Sequence, residues 1–591
     1  MEVNKMEKNG GKYGSIPSLL KKSILLLFIT IMLLGSSVPV QGSSFEGRRT
    51  AFLGANGNGY EDHVAIWAWL ENNDQSKAAQ IHEVVYRWAT EEWRWGWDLT
   101  CVQLTRVLLQ YGDRISQADH DMLYKMFGWF LPNLWMFHTG SMNNRFFDYT
   151  VRYIHSERRD GVNVQYGEQG ETRLPTFTWD GVLYKPGRVY NSLQIARAWF
   201  YYIFNELLVL GDEELDSEYT KALIISLYNL YDFAQDPEMK KAAKMMLDFL
   251  LIDAIMDVGG CGLHGGNIGR TYANSVRTGH PQIYHWIYWG VGHNPGSNRQ
   301  GQFFDAYVST YRLPELIEDI GILDDEPDNY WHINRENNFA GYCPKNQGSW
   351  TYVTKYYNLG GAAYQWMLNV KATSPHEKGI RLWVNDLAIG EACSNGECYL
   401  ALGSFGFQYK NCMYIRSGNT PTLHMPEVIG SFDTEDVDGN WRFFKEDKVA
   451  VAVRLQSGGS YLEVAIMGVD YADFWEFKSA CIHNANRLPY ESGHTTSRGD
   501  KITEVYDPEK RINHVLFNGE YVWDFPFKRI ETEAYNGTKI VDWDAATKVM
   551  TVQWHDNQAV YDFINWTYSY NQNEDVVSPN PPQGVTVTRK E

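Results

Sequence analysis

The hydrophobic pattern of this chain changes period near residue 380, and that change limits the folds it can adopt. From about Gly57 to Val370 apolar residues recur at helical spacing; in Cys101–Tyr111, for example, four apolar side chains share one face. From about Ile380 onward they alternate along short runs, which is typical of strands. The pattern therefore predicts a helical part followed by an antiparallel sheet part.

One helix of the first part is predicted to be buried on all sides. Asp236-Pro237 is a helix start, with Asp as the N-cap and Pro at the first helical position. The residues Met245–Ile252 that follow are apolar nearly all round, which is typical of a helix between layers. Several long helices of this kind, separated by aromatic-rich loops, fit an incomplete (α/α) toroid with a cleft at one mouth.

Turn sequences divide the second part into short strands. Ser457–Ser460 separates the strand-like runs Val449–Arg454 and Tyr461–Met467, and Asn518-Gly519 and Asn536-Gly537 mark further hairpins. The predicted fold class is therefore multidomain α + β, an incomplete (α/α) toroid followed by an antiparallel β-sandwich.

The length of 591 residues is too great for a single hydrophobic core, so the chain is divided into segments. A basic stretch precedes the apolar run Ile24–Leu34, and small residues then offer a cleavage site near Ser43, which predicts a secretion signal. We expect a signal peptide at 1–42, the toroid at 43–375, the sandwich at 376–571 and a disordered tail at 572–591. The expected location is secreted or periplasmic.

Composition limits the class of partner. The formal charge of −19 argues against nucleic acid and against an anionic membrane surface, because both are bound through basic patches. The 22 Trp and 38 Tyr favour carbohydrate handling weakly, since most of these rings must fill the core. We therefore expect a polysaccharide partner and no membrane contact once the signal is removed; the oligomeric state is left open.

The sequence supports no transition-metal site, because CxxC pairs and an HExxH helix are absent from it. We expect no cofactor, although scattered carboxylates could hold a structural Ca²⁺. Asp433, Glu435, Asp436 and Asp438 are one such candidate, but Gly439-Asn440 after them also fits a solvated turn. Of the seven cysteines, Cys393 and Cys398 flank a turn sequence and could staple a hairpin.

The strongest candidate for chemistry is a glycine-rich loop that follows the buried helix. Gly259–Tyr272 contains six glycines in fourteen residues, too many for a helix or a strand. His264, Arg270 and Tyr272 lie within it, and polar side chains on a loop held by a rigid scaffold are the usual layout of an active site. A turn whose His and Arg cap helix ends is the alternative.

Two further clusters carry candidate substrate-binding residues. Asn143, Asn144 and Arg145 begin a helical stretch, where Asn-Asn alone would be an N-cap. An aromatic and histidine cluster follows the glycine-rich loop and could be either a sugar platform or core. Together with Asn267 of the loop, its candidates are His280, Tyr284, Trp286, Trp289 and His293.

Several of these stretches resemble a group of secreted proteins built like the toroid-plus-sandwich polysaccharide lyases, such as the hyaluronate and chondroitin lyases and the heparinase II/III-like proteins. The similar stretches are Glu214–Tyr219, Leu227–Ala234, Leu247-Asp248 and His264–Tyr272. His264 and Tyr272 have the spacing of a His and a Tyr in those lyases. Asn144 stands where that group has Thr-Glu-Asn-His, but the acidic residue and the His are lost.

The resemblance implies β-elimination at a uronic acid, with Asn144 and Arg270 neutralising the substrate carboxylate and Tyr272 or His264 exchanging protons. The substrate is then an anionic polysaccharide. Two alternatives stay open. One is a glycoside hydrolase on the same toroid with an Asp/Glu pair, although no carboxylate spacing marks such a pair. The other is a protein that binds glycans without turnover.

Overall fold

The computed structural model describes about two thirds of the chain. The described residues are 44–56, 62–133, 142–167, 169, 174–211, 217–256, 284–290, 305–321, 329–336, 347–364, 381–384, 387–390, 405–416, 427–429, 432–456, 459–484, 494–507, 512–521, 530–534 and 537–571. The predicted signal peptide, the Cys393–Cys398 hairpin and the predicted disordered tail lie outside these ranges.

Helices occupy most of the described chain up to residue 320. They are α1 (Phe45–Asn56), α2 (Asp62–Glu71), α3 (Ala78–Arg87), α4 (Trp93–Tyr111), α5 (Gln117–Asn133), α6 (Met142–Glu157), α7 (Ser192–Leu210), α8 (Ser217–Phe233), α9 (Pro237–Met256), α10 (Asp305–Val308) and α11 (Glu315–Ile320). A twelfth helix, α12 (Phe474–Asn484), lies among the later strands.

The buried helix α9 begins where the sequence predicts. Asp236 accepts a hydrogen bond from the backbone N–H of Glu238 over 3.0 Å, and Pro237 is the first helical residue. Fourteen of the twenty residues of α9 are buried, from Met239 to Met256. A helix without a solvent face lies between two layers, and α9 does so between the other helices and a large sheet.

The successive helices α6, α7, α8 and α9 form a layer and alternate in direction along the chain. Arg158, just after α6, donates to Phe233 O at the end of α8 over 2.7 Å, and Glu157 accepts from the N–H of Asp236, just before α9, over 3.0 Å. Ser156 near the end of α6 bonds Ser192 at the start of α7. Thus α6 and α8 run in one direction, and α7 and α9 run in the opposite direction.

The ends of these helices define two sides of the layer. We call the side with the C-terminal ends of α6 and α8 the capped end, because the contacts above close it. The loop end is the opposite side, with the N-terminal ends of α6 and α8 and the C-terminal ends of α7 and α9. Helix α4 runs with α6 and α8, since Asn229 of α8 donates to Val102 O and Arg106 pairs with Asp232.

Strands begin with two small pairs inside the helical part and then dominate from residue 330. The early strands are β1 (Asn163–Tyr166), β2 (Phe177–Trp179), β3 (Val182–Tyr184) and β4 (Arg188–Asn191). Those up to residue 466 are β5 (Tyr330–Glu336), β6 (Gln347–Val353), β7 (Tyr357–Tyr364), β8 (Arg381–Val384), β9 (Leu387–Gly390), β10 (Phe405–Tyr409), β11 (Cys412–Arg416), β12 (Glu427–Ile429), β13 (Thr434–Asp438), β14 (Trp441–Glu446), β15 (Val449–Gln456) and β16 (Gly459–Ile466). The last are β17 (His494–Thr495), β18 (Lys501–Asp507), β19 (Ile512–Phe517), β20 (Glu520–Tyr521), β21 (Ile530–Ala534), β22 (Lys539–Asp544), β23 (Val549–Trp554), β24 (Asn557–Asp562) and β25 (Thr567–Tyr570).

These strands form antiparallel sheets of unequal size. The largest has eleven strands in the order β12-β9-β8-β7-β6-β5-β21-β22-β23-β24-β25. A six-stranded sheet has the order β10-β11-β16-β15-β14-β13, and a four-stranded sheet has the order β17-β18-β19-β20. In the large sheet β5 pairs with β21, so that Thr532 lies opposite His332, 200 residues earlier. The sheet therefore joins distant parts of the chain.

The helical layer covers one face of the eleven-stranded sheet. Phe249 of α9 packs edge-on against Trp543 and Phe563, with ring centres 5.9 and 5.7 Å apart. Tyr201 of α7 meets Trp566 edge-on as well, and Phe204 packs against the same indole with its ring tilted. Burial of rings this large contributes about 2 to 3 kcal/mol each, which makes this interface a major part of the core.

The six-stranded sheet packs against the other face of the large sheet. Tyr352 and Leu359 of β6 and β7 share an apolar cluster with Val451 and Val464, whereas Val353, the neighbour of Tyr352, faces the helices. Successive side chains of a strand point to opposite faces, which explains this division. Helix α12 covers the far face of the six-stranded sheet through Phe477. The order of layers here is helices, large sheet, small sheet.

The structure corrects one sequence-based expectation. Helical periodicity was expected as far as Val370, but β5, β6 and β7 are strands that begin at Tyr330. Their aromatic and Thr residues fit a pleated sheet, and a partner strand 200 residues away completes the pairing. Helices and sheets from Ser44 onward belong to one compact unit. The division at 375 and 376 stays a prediction.

Candidate functional site

Half of the predicted site residues lie outside the described residues. This applies to His264, Asn267, Arg270, Tyr272, His280 and His293. Asn143 and Asn144 are in the first turn of α6, but the structure does not describe their side chains. The scaffold on either side of them is described: the start of α6, the end of α9 and the contacts that hold each end.

The start of α6 and the end of α9 lie at the same side of the helical layer. Both belong to the loop end, because α6 and α9 run in opposite directions and meet near Glu157 and Asp236 at the capped end. Helices of 16 and 20 residues are about 24 and 30 Å long, so their far ends reach similar depths. The chain thus leaves Met256 on the side where Asn143 and Asn144 begin α6.

The end of α9 is held against the large sheet by polar contacts. Asp253 Oδ1 lies 3.2 Å from His332 Nε2, and His332 Nδ1 lies 2.9 Å from Thr532 Oγ1. Tyr330 donates from its hydroxyl to Ile255 O over 3.4 Å. All of these groups are buried, where a missed hydrogen bond costs about 1 to 3 kcal/mol. The position from which residues 257 onward leave the helix is therefore fixed.

Arg145 is buried near the loop end rather than open to solvent. Its side chain is 3% exposed, and its positive charge acts on Tyr149, Tyr166 and Tyr202. Burial nevertheless raises the pKa of all three phenols, that of Tyr202 to about 12, because Arg145 offsets only part of the cost of a buried phenolate. This burial favours a structural role for Arg145 over the predicted contact with substrate.

Tyr284, Trp286 and Trp289 are core residues in this structure. They are 3 to 4% exposed. Trp289 Nε1 donates to Ile317 O over 2.9 Å, and the ring of Trp286 lies 6.4 Å from that of Phe52. Rings so deeply buried offer no face to a sugar here. Of the two interpretations of this cluster, the structure favours core over sugar platform.

Sequence reasoning missed a set of buried ion pairs at the capped end. Arg106 of α4 lies 2.7 Å from Asp232 Oδ2 and donates from Nε to Asp305 Oδ1 over 3.0 Å. All three side chains are at most 2% exposed. These three residues are far apart in the sequence and share no local pattern, so the sequence does not predict that they are in contact.

Within this group the carboxyl of Asp305 has a shifted pKa. Burial raises the pKa of its carboxyl to about 6, and the charge of Arg106 opposes the rise without cancelling it. One positive charge faces two carboxylates in a site without solvent. Protonating one of them is the least costly way to balance the charge.

A second buried group joins α9 to the last described strand. Lys244 Nζ lies 2.7 Å from Asp248 Oδ2, and Tyr311 donates to Asp248 Oδ1 over 2.6 Å. Tyr570 of β25 contacts both Lys244 and Asp248, at 3.0 and 3.3 Å. The i, i+4 spacing of Lys244 and Asp248 is a signal that the sequence does carry. These contacts hold β25 against the helical layer.

Among the described residues the structure contains no cluster of three or more His, Cys, Asp or Glu that could hold a metal ion. The carboxylates suggested as a Ca²⁺ site contact other groups of the protein. Asp436 and Asp438 face Lys478 of α12, whose Nζ lies 2.6 Å and 3.4 Å from them. Asp433 accepts from the N–H of Asp447 in the adjoining turn. These contacts pair Asp433, Asp436 and Asp438 with other groups of the protein.

Three cysteines, Cys101, Cys412 and Cys481, are described and buried. Burial raises the pKa of the Cys412 and Cys481 thiols well above the usual range, so both are held as inert thiols at neutral pH.

No helix within the described ranges is long and apolar enough to cross a membrane. No protein-family model and no curated protein sequence matches this chain.

Proposed function

We propose that this protein is a secreted lyase that cleaves a uronic-acid-containing polysaccharide by β-elimination. The observation that carries the proposal is the common position of two helix ends. Asn144 lies in the first turn of α6 at the loop end, and α9, which precedes the segment with His264, Arg270 and Tyr272 in the sequence, ends on that same side. Groups separated by more than a hundred residues in sequence can therefore act on one substrate.

The proposed architecture is an incomplete (α/α) toroid followed by an antiparallel β-sandwich. Support comes from the alternating directions of α6, α7, α8 and α9, which are those of stacked helix pairs. Further support comes from the face-to-face packing of the six-stranded sheet on the large sheet. The glycine-rich segment is proposed to border the cleft of this architecture, and the contact between Asp253 and His332 holds the end of α9 that precedes it in the sequence.

The first chemical task is to make the C5 proton of the uronate acidic. Asn144 and Arg270 are proposed to hydrogen-bond the substrate carboxylate and to stabilise the charge that moves onto it as the proton leaves. Arg270 supplies a permanent positive charge for an anionic ligand. The overall charge of −19 makes such a local cation necessary, because the rest of the protein repels a polyanion.

The second task is to move two protons. Tyr272, ionised to a phenolate, is proposed to remove the C5 proton. It then gives a proton to the glycosidic oxygen as the bond between that oxygen and C4 breaks, and His264 is the alternative base. A phenol titrates near 10, and cations such as Arg270 or protonated His264 lower its pKa. The pKa values of the buried Tyr149 and Tyr166 near Arg145 are raised instead, because burial outweighs the charge of Arg145 there. A tyrosine base must therefore be solvated or paired with cations.

The deciding experiment follows the ultraviolet absorbance of the unsaturated product, with the mature protein from about Ser43. The substrates are alginate, pectic, ulvan-type and glycosaminoglycan chains. We expect one class to give a rise in absorbance, and Tyr272→Phe to lower its rate at least about 100-fold. The matched control is Tyr124→Phe, which changes a half-exposed tyrosine of α5 in the same way.

Other outcomes of this assay would support a different function. Reducing ends without absorbance would indicate a hydrolase that uses an Asp/Glu pair. Binding of a glycan without either product would indicate a non-catalytic binding protein. Full activity of Tyr272→Phe on a confirmed substrate would remove Tyr272 from the mechanism and leave His264 as the base to test.

A further inference from the structure

A tryptophan on α12 is exposed in a setting that fixes its orientation. Trp475 is 61% exposed, although the rest of its helix packs on the six-stranded sheet through Phe474, Phe477 and Cys481. Exposed single hydrophobic residues are common and need no explanation by themselves. The surroundings of Trp475 distinguish it from such residues.

The backbone under Trp475 is locked by a reciprocal cap. Asp473 Oδ1 accepts from the N–H groups of Trp475 and Glu476 over 2.8 and 2.9 Å, and Glu476 accepts from the N–H of Ala472 over 2.7 Å. The ring of Phe474 meets the indole edge-on at 5.1 Å. A ring held in this way loses little freedom when a ligand stacks on it.

Polar groups lie beside the indole. Lys478, one turn later, has its Nζ 5.8 Å from the indole centre and bonded to Asp436 on the edge strand β13 over 2.6 Å. The same Nζ lies 3.4 Å from Asp438, whose side chain is 53% exposed. An ammonium group has three donors, and a carboxylate accepts several hydrogen bonds. Hydroxyl groups can therefore be bound next to the ring.

The chemistry of this surface matches a sugar. We infer that Trp475, Lys478 and Asp438 form a binding site for a neutral pyranose unit of a polysaccharide. The C–H face of the ring stacks on the indole, and its hydroxyls exchange hydrogen bonds with the carboxylate and ammonium groups. One Lys beside Asp436 and Asp438 leaves a net negative charge, so a uronate is disfavoured here.

This site is separate from the proposed elimination chemistry. It lies on α12 and β13, on the far side of the six-stranded sheet from the helical layer. It would hold the protein on a neutral polymer found together with the acidic one. Its existence does not depend on whether the protein is a lyase.

Affinity electrophoresis of the full mature chain in gels that contain xylan, galactomannan or soluble β-glucan tests the inference. We expect one of them to retard the protein, and Trp475→Ala to weaken that binding at least about tenfold. Trp129→Ala is the matched control, since it removes another exposed tryptophan, 55% exposed on α5, and should leave retardation unchanged. Asp438→Ala should weaken binding while keeping the aromatic ring.

The inference is overturned by two results: wild-type protein that none of these polymers retards, or retardation that survives Trp475→Ala. Unchanged thermal unfolding of Trp475→Ala shows that the variant is folded. The absorbance assay on soluble substrate, repeated with Trp475→Ala, should give the wild-type rate. If the wild type binds a neutral polymer but produces no absorbance, the lyase proposal fails and this site stands.

Discussion

The Nε of Arg106 donates a hydrogen bond to Asp305 Oδ1 over 3.0 Å, between two side chains that have no contact with solvent. Asp232 accompanies them, with its Oδ2 2.7 Å from Arg106 Nη2. These three residues tie α4, α8 and α10 together at the capped end. A buried cation between two carboxylates cannot be removed without leaving both of them uncompensated.

Replacing Arg106 should therefore destabilise the fold strongly. We expect Arg106→Met to lower the free energy of unfolding by about 3 to 5 kcal/mol, because the variant keeps two buried carboxylates without their partner. Urea unfolding followed by tryptophan fluorescence measures the change. Arg442→Met on the exposed face of β14 is the control and should change stability by less than about 0.5 kcal/mol. Equal midpoints for the two variants would contradict the role of Arg106.

Asp305 should make stability depend on pH in an unusual direction. Its pKa is about 6 in the fold, above the ordinary value of 3.8, so the folded state holds a proton that the unfolded state releases. The stability contributed by this proton is complete below about pH 4 and is lost as the pH rises through about 6. The full effect is on the order of 3 kcal/mol.

The variant Asp305→Asn isolates this effect, because an amide can still accept from Arg106 but does not titrate. Thermal unfolding of both proteins between pH 4 and pH 8 gives a difference at each pH. We expect the wild type to lose stability relative to the variant as the pH rises through 6. A difference that stays constant over this range would show that Asp305 is ionised throughout.

The hydroxyl group of Tyr311 should contribute to the free energy of unfolding independently of its ring. Tyr311→Phe keeps the ring and removes the donor to Asp248, a fully buried carboxylate. The expected loss is about 1 to 3 kcal/mol, measured by urea unfolding. Tyr124→Phe makes the same chemical change on a half-exposed ring and should be nearly neutral. A similar loss in both variants would mean that the buried hydroxyl has no special weight.

Two glycine substitutions should act in opposite directions. Gly290 ends a helical turn with φ of 70°, and an added Cβ would lie 3.1 Å from Arg48 Nη1. Gly290→Ala should therefore cost about 1 to 2 kcal/mol. Gly54 is exposed within α1 with nothing near its Cβ position, so Gly54→Ala should add about 0.5 to 1 kcal/mol. Melting temperatures that shift in the same direction for both variants would contradict this reasoning.

Local signals predicted much of the fold. The Asp236-Pro237 start of α9 is confirmed, as is the burial of Leu104, Val107, Leu108 and Tyr111 along one face of α4. The hairpin around Ser457–Ser460 is confirmed as β15 and β16, and the run Val449–Arg454 lies within β15. Asn518 and Gly519 have the positive φ angles that the hairpin turn requires. Capping, periodicity and turn chemistry are local, and a sequence carries them directly.

Features that depend on distant partners could not be predicted in this way. Helical periodicity predicts helix over β5 to β7, but β5 is a strand paired with β21, far along the chain, and β6 and β7 continue that sheet. The contact between Arg106 and Asp305 spans 199 residues and follows no spacing rule. For the candidate site, the sequence identified polar residues around α6 and α9, while the directions of those helices had to come from packing.

The pairing of β5 with β21 also has a consequence for biosynthesis. The helical layer cannot bury its sheet-facing side until β21 to β24, made about 200 residues after β5, have left the ribosome. Until then Phe249 and its neighbours lack the rings of Trp543 and Phe563. The sheet-facing side of the helical layer therefore stays exposed until late in synthesis, which makes the nascent chain prone to association with other exposed apolar surfaces.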